Sequence, residues 1–262
     1  MGRVLRIPTP SRDDLASRLY FAIESALDLQ RRIGRKTYAL YQAVLLGMLD
    51  RDALNAITGL CYAAKAPRWS EDAYLRSGLM AWEELALATE FRDCRSILVA
   101  SAGGGREMLA LAQRGLAVTG FDCAPNLVES SRALLASHGV SATIVAAAPD
   151  ECPPVGPHDG AIVGWCGYMH ILGRDARIRF LRGLRAQLPV GGPLLVSSLT
   201  RPERHRELEL IARLANVLRR LRRRPPVEVG DEVRWHYHHR FAPSEIAAEL
   251  EAAGFSMGRF SL

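Results

Sequence analysis

The sequence predicts an α/β protein: a doubly wound, mainly parallel sheet with an N-terminal helical cap. Three observations carry this. Beyond Cys94, short apolar runs alternate with helical runs, the pattern of a parallel sheet covered on both faces. The first ninety or so residues show apolar positions at helical spacing and no alternating strand. One strand runs into three consecutive glycines and then a helix, and open sheets of this kind bind ligands beyond the C-terminal ends of their strands.

At roughly 150 residues per domain, the 262 residues fit one elaborated domain or a domain plus a cap. The boundary falls at 93/94: residues 1–93 form a helical, substrate-side cap, and residues 94–262 the sheet domain, with an inserted helix at 201–224. Hydrophobic residues at 48% and charged residues at 24% exclude global disorder. No stretch approaches about 18 uninterrupted apolar residues, so no membrane partner is expected. The N-terminus has no apolar signal core. Five scattered cysteines (Cys61, Cys94, Cys123, Cys152, Cys166) contain no CxxC pair, so neither a disulfide framework nor a zinc site follows, and a reducing cytoplasm fits. The net charge is +6, which permits an anionic partner without showing one. Only Lys36 and Lys65 are lysines, and the arginines include one dense run, Arg219–Arg224.

In chain order, Leu15, Leu19, Ala22, Ile23, Ala26, Leu27 and Leu29 predict a first helix, with Ser11, Asp13 and Asp14 as its start signal. Its Ser11–Arg32 stretch is a candidate homodimer contact. Ala39–Leu49 and Asp72–Thr89 predict further helices. The strands follow at Ser96–Ala100, Ala117–Phe121, Thr143–Ala147, Ala161–Gly164 and Leu194–Leu199. Helices are predicted at Glu107–Arg114, Pro125–His138 and Asp175–Leu188 between them, then at Glu203–Arg224 and Ser244–Ala253. A short strand, Phe255–Leu262, ends the chain, and Val227–Tyr237 is a candidate extra strand.

The segment SILVASAGGGRE (Ser96–Glu107) is the most informative. Glycines let the backbone turn tightly beside a ligand, and the following helix offers free N–H groups. Asp122 lies 17 residues after Gly105, at the end of the next strand, placed to accept ribose hydroxyls. The residues therefore indicate an adenosine-containing ligand. Met108 stands where GxGxxG requires its third glycine, and Arg106-Glu107 stand where a P-loop requires GK[ST], so neither of those sites is predicted.

From about Ser96 to Leu199 the chain resembles the class I S-adenosylmethionine-dependent methyltransferases, which have a Rossmann-like sheet. ILVASAGGGREMLALA resembles their first motif and VTGFDCAPNLVESSR their second strand. HDGAIVGWCGYMHI resembles their fourth strand and active-site loop, and LPVGGPLLVSS their fifth strand. The resemblance implies S-adenosylmethionine as cofactor, S-adenosylhomocysteine as product, and contacts at Ser101, Ala102, Gly103, Gly105, Arg106, Asp122 and Cys123. Asp150 is a candidate adenine-side acid, with Ala148 as the alternative occupant of that position. There are departures. The family often carries an acid two residues before its first glycine, where this chain has Val99, and that first glycine is here Ser101. Arg106 or a cap residue is then expected at the methionine end, with Tyr74 or Arg76 candidates for the cofactor carboxylate.

His170 and Tyr168, in the loop after the fourth strand, are the catalytic candidates. His170 titrates near neutrality and suits a general base for a hydroxyl, amine or imidazole. Trp165 and Tyr168 are placed to wall the site or meet the sulfonium through cation–π attraction. Tyr62, Trp69, Tyr74 and Trp82 add cap aromatics. No carboxylate or asparagine lies between Gly160 and Arg174, so no metal is expected, and His236 and His238 beside Arg240 read as a substrate-facing polar patch or a surface strand. The expected function is methylation of a small-molecule acceptor at oxygen or nitrogen, by analogy in bacterial secondary metabolism. The alternatives are an RNA or protein methyltransferase, supported only by the arginine run, and a non-catalytic cofactor-binding protein. A nucleic-acid partner is not expected.

Overall fold

Four helices precede the sheet in the computed structural model, which describes residues 15–69 and 71–260. They are α1 (Leu15–Met48), α2 (Arg51–Trp69), α3 (Asp72–Leu75) and α4 (Ala81–Ala88). Next come β1 (Ser96–Ala100), α5 (Arg106–Ala112), β2 (Ala117–Asp122), α6 (Pro125–Ser137), β3 (Thr143–Ala146), β4 (Gly160–Val163), α7 (Arg174–Arg185) and β5 (Leu194–Val196). The chain ends with α8 (Arg206–Leu221), β6 (Asp231–Val233), β7 (Tyr237–His239) and α9 (Pro243–Ala252).

The sheet order is β3-β2-β1-β4-β5, every pair parallel. The winding reverses between β1 and β4, which opens a crevice beyond their C-terminal ends. Strand β1 shows why its sequence is continuously apolar. Successive side chains point to opposite faces, and both faces are covered. Ile97 and Val99 pack with Met108, Leu111 and Leu135 from α5 and α6. Leu98 and Ala100 pack with Phe180, Leu181 and Ile246 from α7 and α9.

A third core lies outside the sheet. Ala39, Ala43 and Leu46 of α1 pack with Leu208, Ile211 and Ala215 of α8 and with Val233 and Tyr237 of the β6–β7 hairpin. The two helices lie close at Gly47, where a Cβ would come within 2.7 Å of Leu218 Cδ1. The inserted helix and the N-terminal helices thus share one core.

Several expectations are corrected. The first two apolar segments belong to one helix of 34 residues. The helix expected over Asp72–Thr89 breaks at Gly78, where φ is +77°, leaving α3 and α4. Val227–Tyr237 contributes to an antiparallel hairpin separate from the sheet. Residues 255–260 form no strand; 261 and 262 lie outside the described residues, as do the start signals Ser11, Asp13 and Asp14. Beyond β5, among the described residues, there is only an isolated parallel bridge between Thr200 and Phe241. Among the described residues, no helix is long and apolar enough to cross a membrane.

Two arginines of the run, Arg219 and Arg224, cap α1. The last four carbonyls of a helix lack intrahelical donors. Arg219 donates to the Leu46 and Leu49 carbonyls at 2.7 and 3.0 Å, and Arg224 donates to Met48 O at 2.5 Å.

Candidate active site

The glycine turn is built by backbone conformation. After β1, Ser101, Gly103 and Gly105 all have positive φ, at 53°, 54° and 94°. Gly105 immediately precedes α5. The turn is tied to β2 by Asp122, whose carboxylate accepts Gly103 N–H and Ala124 N–H, each at 2.8 Å. Burial raises the Asp122 pKa, and these backbone donors oppose the shift. Each carboxylate oxygen has two lone pairs, so Asp122 retains acceptor capacity toward a ligand.

A cavity of about 640 Å³ opens beside this turn, within the range of small-molecule sites. Ser101, Ala102, Gly103, Arg106, Asp122, Cys123, Tyr74, Trp165 and His170 all line it. Helix α2 adds Asn55, Thr58 and Tyr62. A Cβ on Gly103 would meet nothing within 4 Å, so the turn leaves open space above its backbone.

Three expected residues are placed elsewhere. Gly105 packs against α6, where a Cβ would lie 2.4 Å from Ser131 Oγ. Its role is helix packing, because the turn points that position away from the cavity. Asp150 pairs with Arg51 at 2.7 Å. Tyr168 is fully buried and donates its hydroxyl to Glu249 at 2.6 Å, on the opposite side of the loop from the cavity. Burial pushes its pKa far above the usual tyrosine value, with the Glu249 charge adding to the shift. Such a phenol is structural.

Arg106 is also different from expectation. Its guanidinium makes a two-pronged pair with Glu83 at 2.8 and 2.9 Å, reaches Glu107 at 2.5 Å, and donates to Gly78 O at 2.6 Å. Only its Nε is buried without a partner.

His170 sits in the turn after β4. Its Nδ1 lies 2.8 Å from the Tyr237 carbonyl. A carbonyl only accepts, so Nδ1 carries the proton and Nε2 presents a lone pair. The Tyr62 hydroxyl donates to that lone pair at 2.7 Å. The expectation that His170 titrates near neutrality is corrected: burial lowers its pKa to about 3, the Tyr237 carbonyl opposing and His236 and His238 adding. His236 stacks on Tyr62, with ring centroids 5.8 Å apart, and meets His170 edge-on at 4.6 Å.

His239 takes the opposite state. Its Nδ1 faces Asp231 at 2.7 Å and its Nε2 faces Glu245 at 3.1 Å. Burial disfavours its charge, but the two carboxylates prevail and raise the pKa to about 9. Glu228, His239 and Glu245 bring ligand-type atoms within 4.8 Å of one another, yet both ring nitrogens are committed to hydrogen bonds. The group is a buried imidazolium between acids.

Sequence reasoning missed Asn55, Thr58 and Glu107, and treated Tyr62 only as a cap aromatic. Their one sequence signal is helical spacing: Asn55, Thr58 and Tyr62 share a face of α2.

The strand order, the glycine turn and the acid at the end of β2 define the fold of the class I S-adenosylmethionine-dependent methyltransferases. Solved structures agree. The chain is similar to an S-adenosylmethionine-dependent methyltransferase from Clostridium acetobutylicum, with a TM-score of 0.53, 9% identity, and 77% of this chain and 95% of that chain covered. It is also similar to the 1,6-didemethyltoxoflavin-N1-methyltransferase of Burkholderia thailandensis, with a TM-score of 0.54, 19% identity, and coverage of 80% and 81%. Against the CcbJ methyltransferase from Streptomyces caelestis the TM-score is 0.42 at 21% identity, over 49% of this chain and 53% of that one. The chain thus spans about half the length of that protein. No family model matches the sequence, and no curated protein matches it.

Proposed function

We propose that the protein binds S-adenosylmethionine and transfers its methyl group to a hydroxyl or N–H of a small-molecule acceptor. The observation that carries this reading is that one cavity joins the Gly103–Asp122 unit to the Tyr62–His170 pair. The cofactor fits the residues present: an open glycine turn, an acid for the ribose, and a volume suited to a nucleoside with room beside it.

The bound sulfonium supplies an activated methyl group. The protein's own task is then alignment and proton handling, and alignment alone can account for roughly 7–11 kcal/mol of barrier. Helix α2 and Trp165 shape the acceptor side. His170 Nε2 is the proton-accepting atom, reached through the Tyr62 hydroxyl that occupies its lone pair. In this relay, the acceptor proton passes to Tyr62 as the Tyr62 proton passes to His170. Of the arginine run, which motivated a nucleic-acid acceptor, Arg219 and Arg224 are committed to the end of α1.

Calorimetric titration with S-adenosylmethionine and with S-adenosylhomocysteine tests the first half of the reading. Micromolar binding of both, lost in Asp122→Ala, is expected; binding of neither overturns it. Methyl-labelled cofactor incubated with a panel of phenols, amines and nitrogen heterocycles tests the second half. Tight cofactor binding with no transfer to any acceptor class would favour a non-catalytic binding protein.

A further inference from the structure

The wall of the cavity next to the glycine turn carries an unbalanced charge. Glu83, Arg106 and Glu107 are all buried, at 2%, 1% and 3% exposure. One guanidinium therefore serves two carboxylates. Glu83 is the better satisfied: it takes both arms of Arg106 and also the Met80 N–H, at 2.7 Å. Glu107 takes one Arg106 nitrogen and the backbone N–H groups of Trp165 and of Glu107 itself, and it lines the cavity. A buried carboxylate without a full counter-charge is strongly disfavoured, so it takes up either a proton or a cation. Burial does raise the Glu107 pKa, with Glu83 adding and Arg106 opposing. A second observation shows that this wall is polar and incomplete: Arg106 also lines the cavity, and its Nε is buried with no partner.

We propose that Glu107 is the anchor for the α-ammonium group of the cofactor's amino-acid end, with the free Nε–H of Arg106 beside it. This rests on the cofactor reading above. Val99 ends the side of β1 that faces the apolar core and offers no charge to the turn. The acid is supplied instead from the first turn of α5. Its neighbours hold it there: Arg106 is fixed by Glu83 of α4 and by the Gly78 carbonyl, so the break between α3 and α4 supports the binding wall from behind.

The test compares two nucleosides on wild type and on Glu107→Gln, which keeps the shape and an acceptor oxygen but removes the charge. S-adenosylhomocysteine carries the ammonium group, whereas 5′-methylthioadenosine lacks the whole amino-acid end. In Glu107→Gln, S-adenosylhomocysteine affinity is expected to fall about tenfold to a hundredfold, the range for losing a charged hydrogen bond. Methylthioadenosine affinity is expected to stay the same, which also reports an intact site. Unchanged S-adenosylhomocysteine affinity, or an equal fall for both ligands, overturns the proposal. If wild type binds neither ligand, the cofactor reading fails first and the proposal falls with it. Should Glu107→Gln not fold, Glu107→Asp keeps the charge and withdraws it by one methylene. A smaller loss confined to S-adenosylhomocysteine is then expected, and equal affinity of wild type and Glu107→Asp for it overturns the proposal.

Discussion

The Tyr62 hydroxyl lies 2.7 Å from His170 Nε2, across the gap between α2 and the turn after β4. With Nδ1 held by the Tyr237 carbonyl, one tautomer is selected. Nitrogen-15 NMR of the ring should show a neutral Nδ1–H imidazole from about pH 5 to 8, because its pKa is lowered to about 3. Tyr62→Phe should leave that tautomer unchanged, since the carbonyl sets it. An imidazolium signal at pH 5 would contradict this. The linkage sign follows: the folded pKa lies below the unfolded value near 6.5, so the His170 contribution to stability is present above that value and lost as pH falls toward 3.

His239 should show the opposite dependence. Its folded pKa, raised to about 9, exceeds the unfolded value near 6.5. Its contribution is fully present below the unfolded value and lost as pH rises through the folded one. Urea unfolding of His239→Gln at about pH 6 should show a loss of about 3 kcal/mol. The gap from wild type should nearly close above the folded pKa. A gap independent of pH would show that the ring acts by packing alone.

Tyr168 and Glu249 are expected to matter for folding and not for ligand binding. Arg177 is fully buried and paired with Glu249 at 2.6 Å. Glu249→Ala should cost about 3 kcal/mol, because the buried guanidinium loses its contacts to Glu249 and keeps only Glu228, at 2.6 Å, as counter-charge. Tyr168→Phe should cost about 1 kcal/mol and leave S-adenosylhomocysteine affinity unchanged. A large loss of affinity in Tyr168→Phe would return the residue to the catalytic list.

Gly105→Ala combines two penalties. A φ of +94° disfavours any side chain, by about 1–2 kcal/mol, and the new Cβ would meet Ser131 Oγ. Thermal unfolding should show a marked drop, which Ser131→Gly relieves only in part because the backbone penalty remains. Full recovery in the double variant would show that the clash was the whole cost.

Arg219→Leu should destabilise by about 3 kcal/mol, because three carbonyls, those of Leu46, Leu49 and Pro225, lose a buried donor together. Chemical denaturation measures this. A neutral result would mean that water replaces the guanidinium at the end of α1.

The sequence by itself determined the sheet, its strand boundaries to within a few residues, the glycine turn and Asp122. These are local signals: apolar runs of strand length, glycines where φ must be positive, and an acid at a fixed distance along the chain. It also marked His170. What it did not determine depends on pairs far apart in the chain. Glu83 meets Arg106 across 23 positions and Tyr62 meets His170 across 108. Tyr168 and His170 are two residues apart and looked alike in sequence, yet the turn after β4 sends one toward Glu249 and the other toward the cavity. Arg219 meets the Leu46 carbonyl across 173 positions, a contact that exists only because α1 packs against α8. Periodicity reports which face of an element is apolar, but not which element covers it. That choice is made by packing, and packing decided which polar groups face the cavity and which are buried as structure.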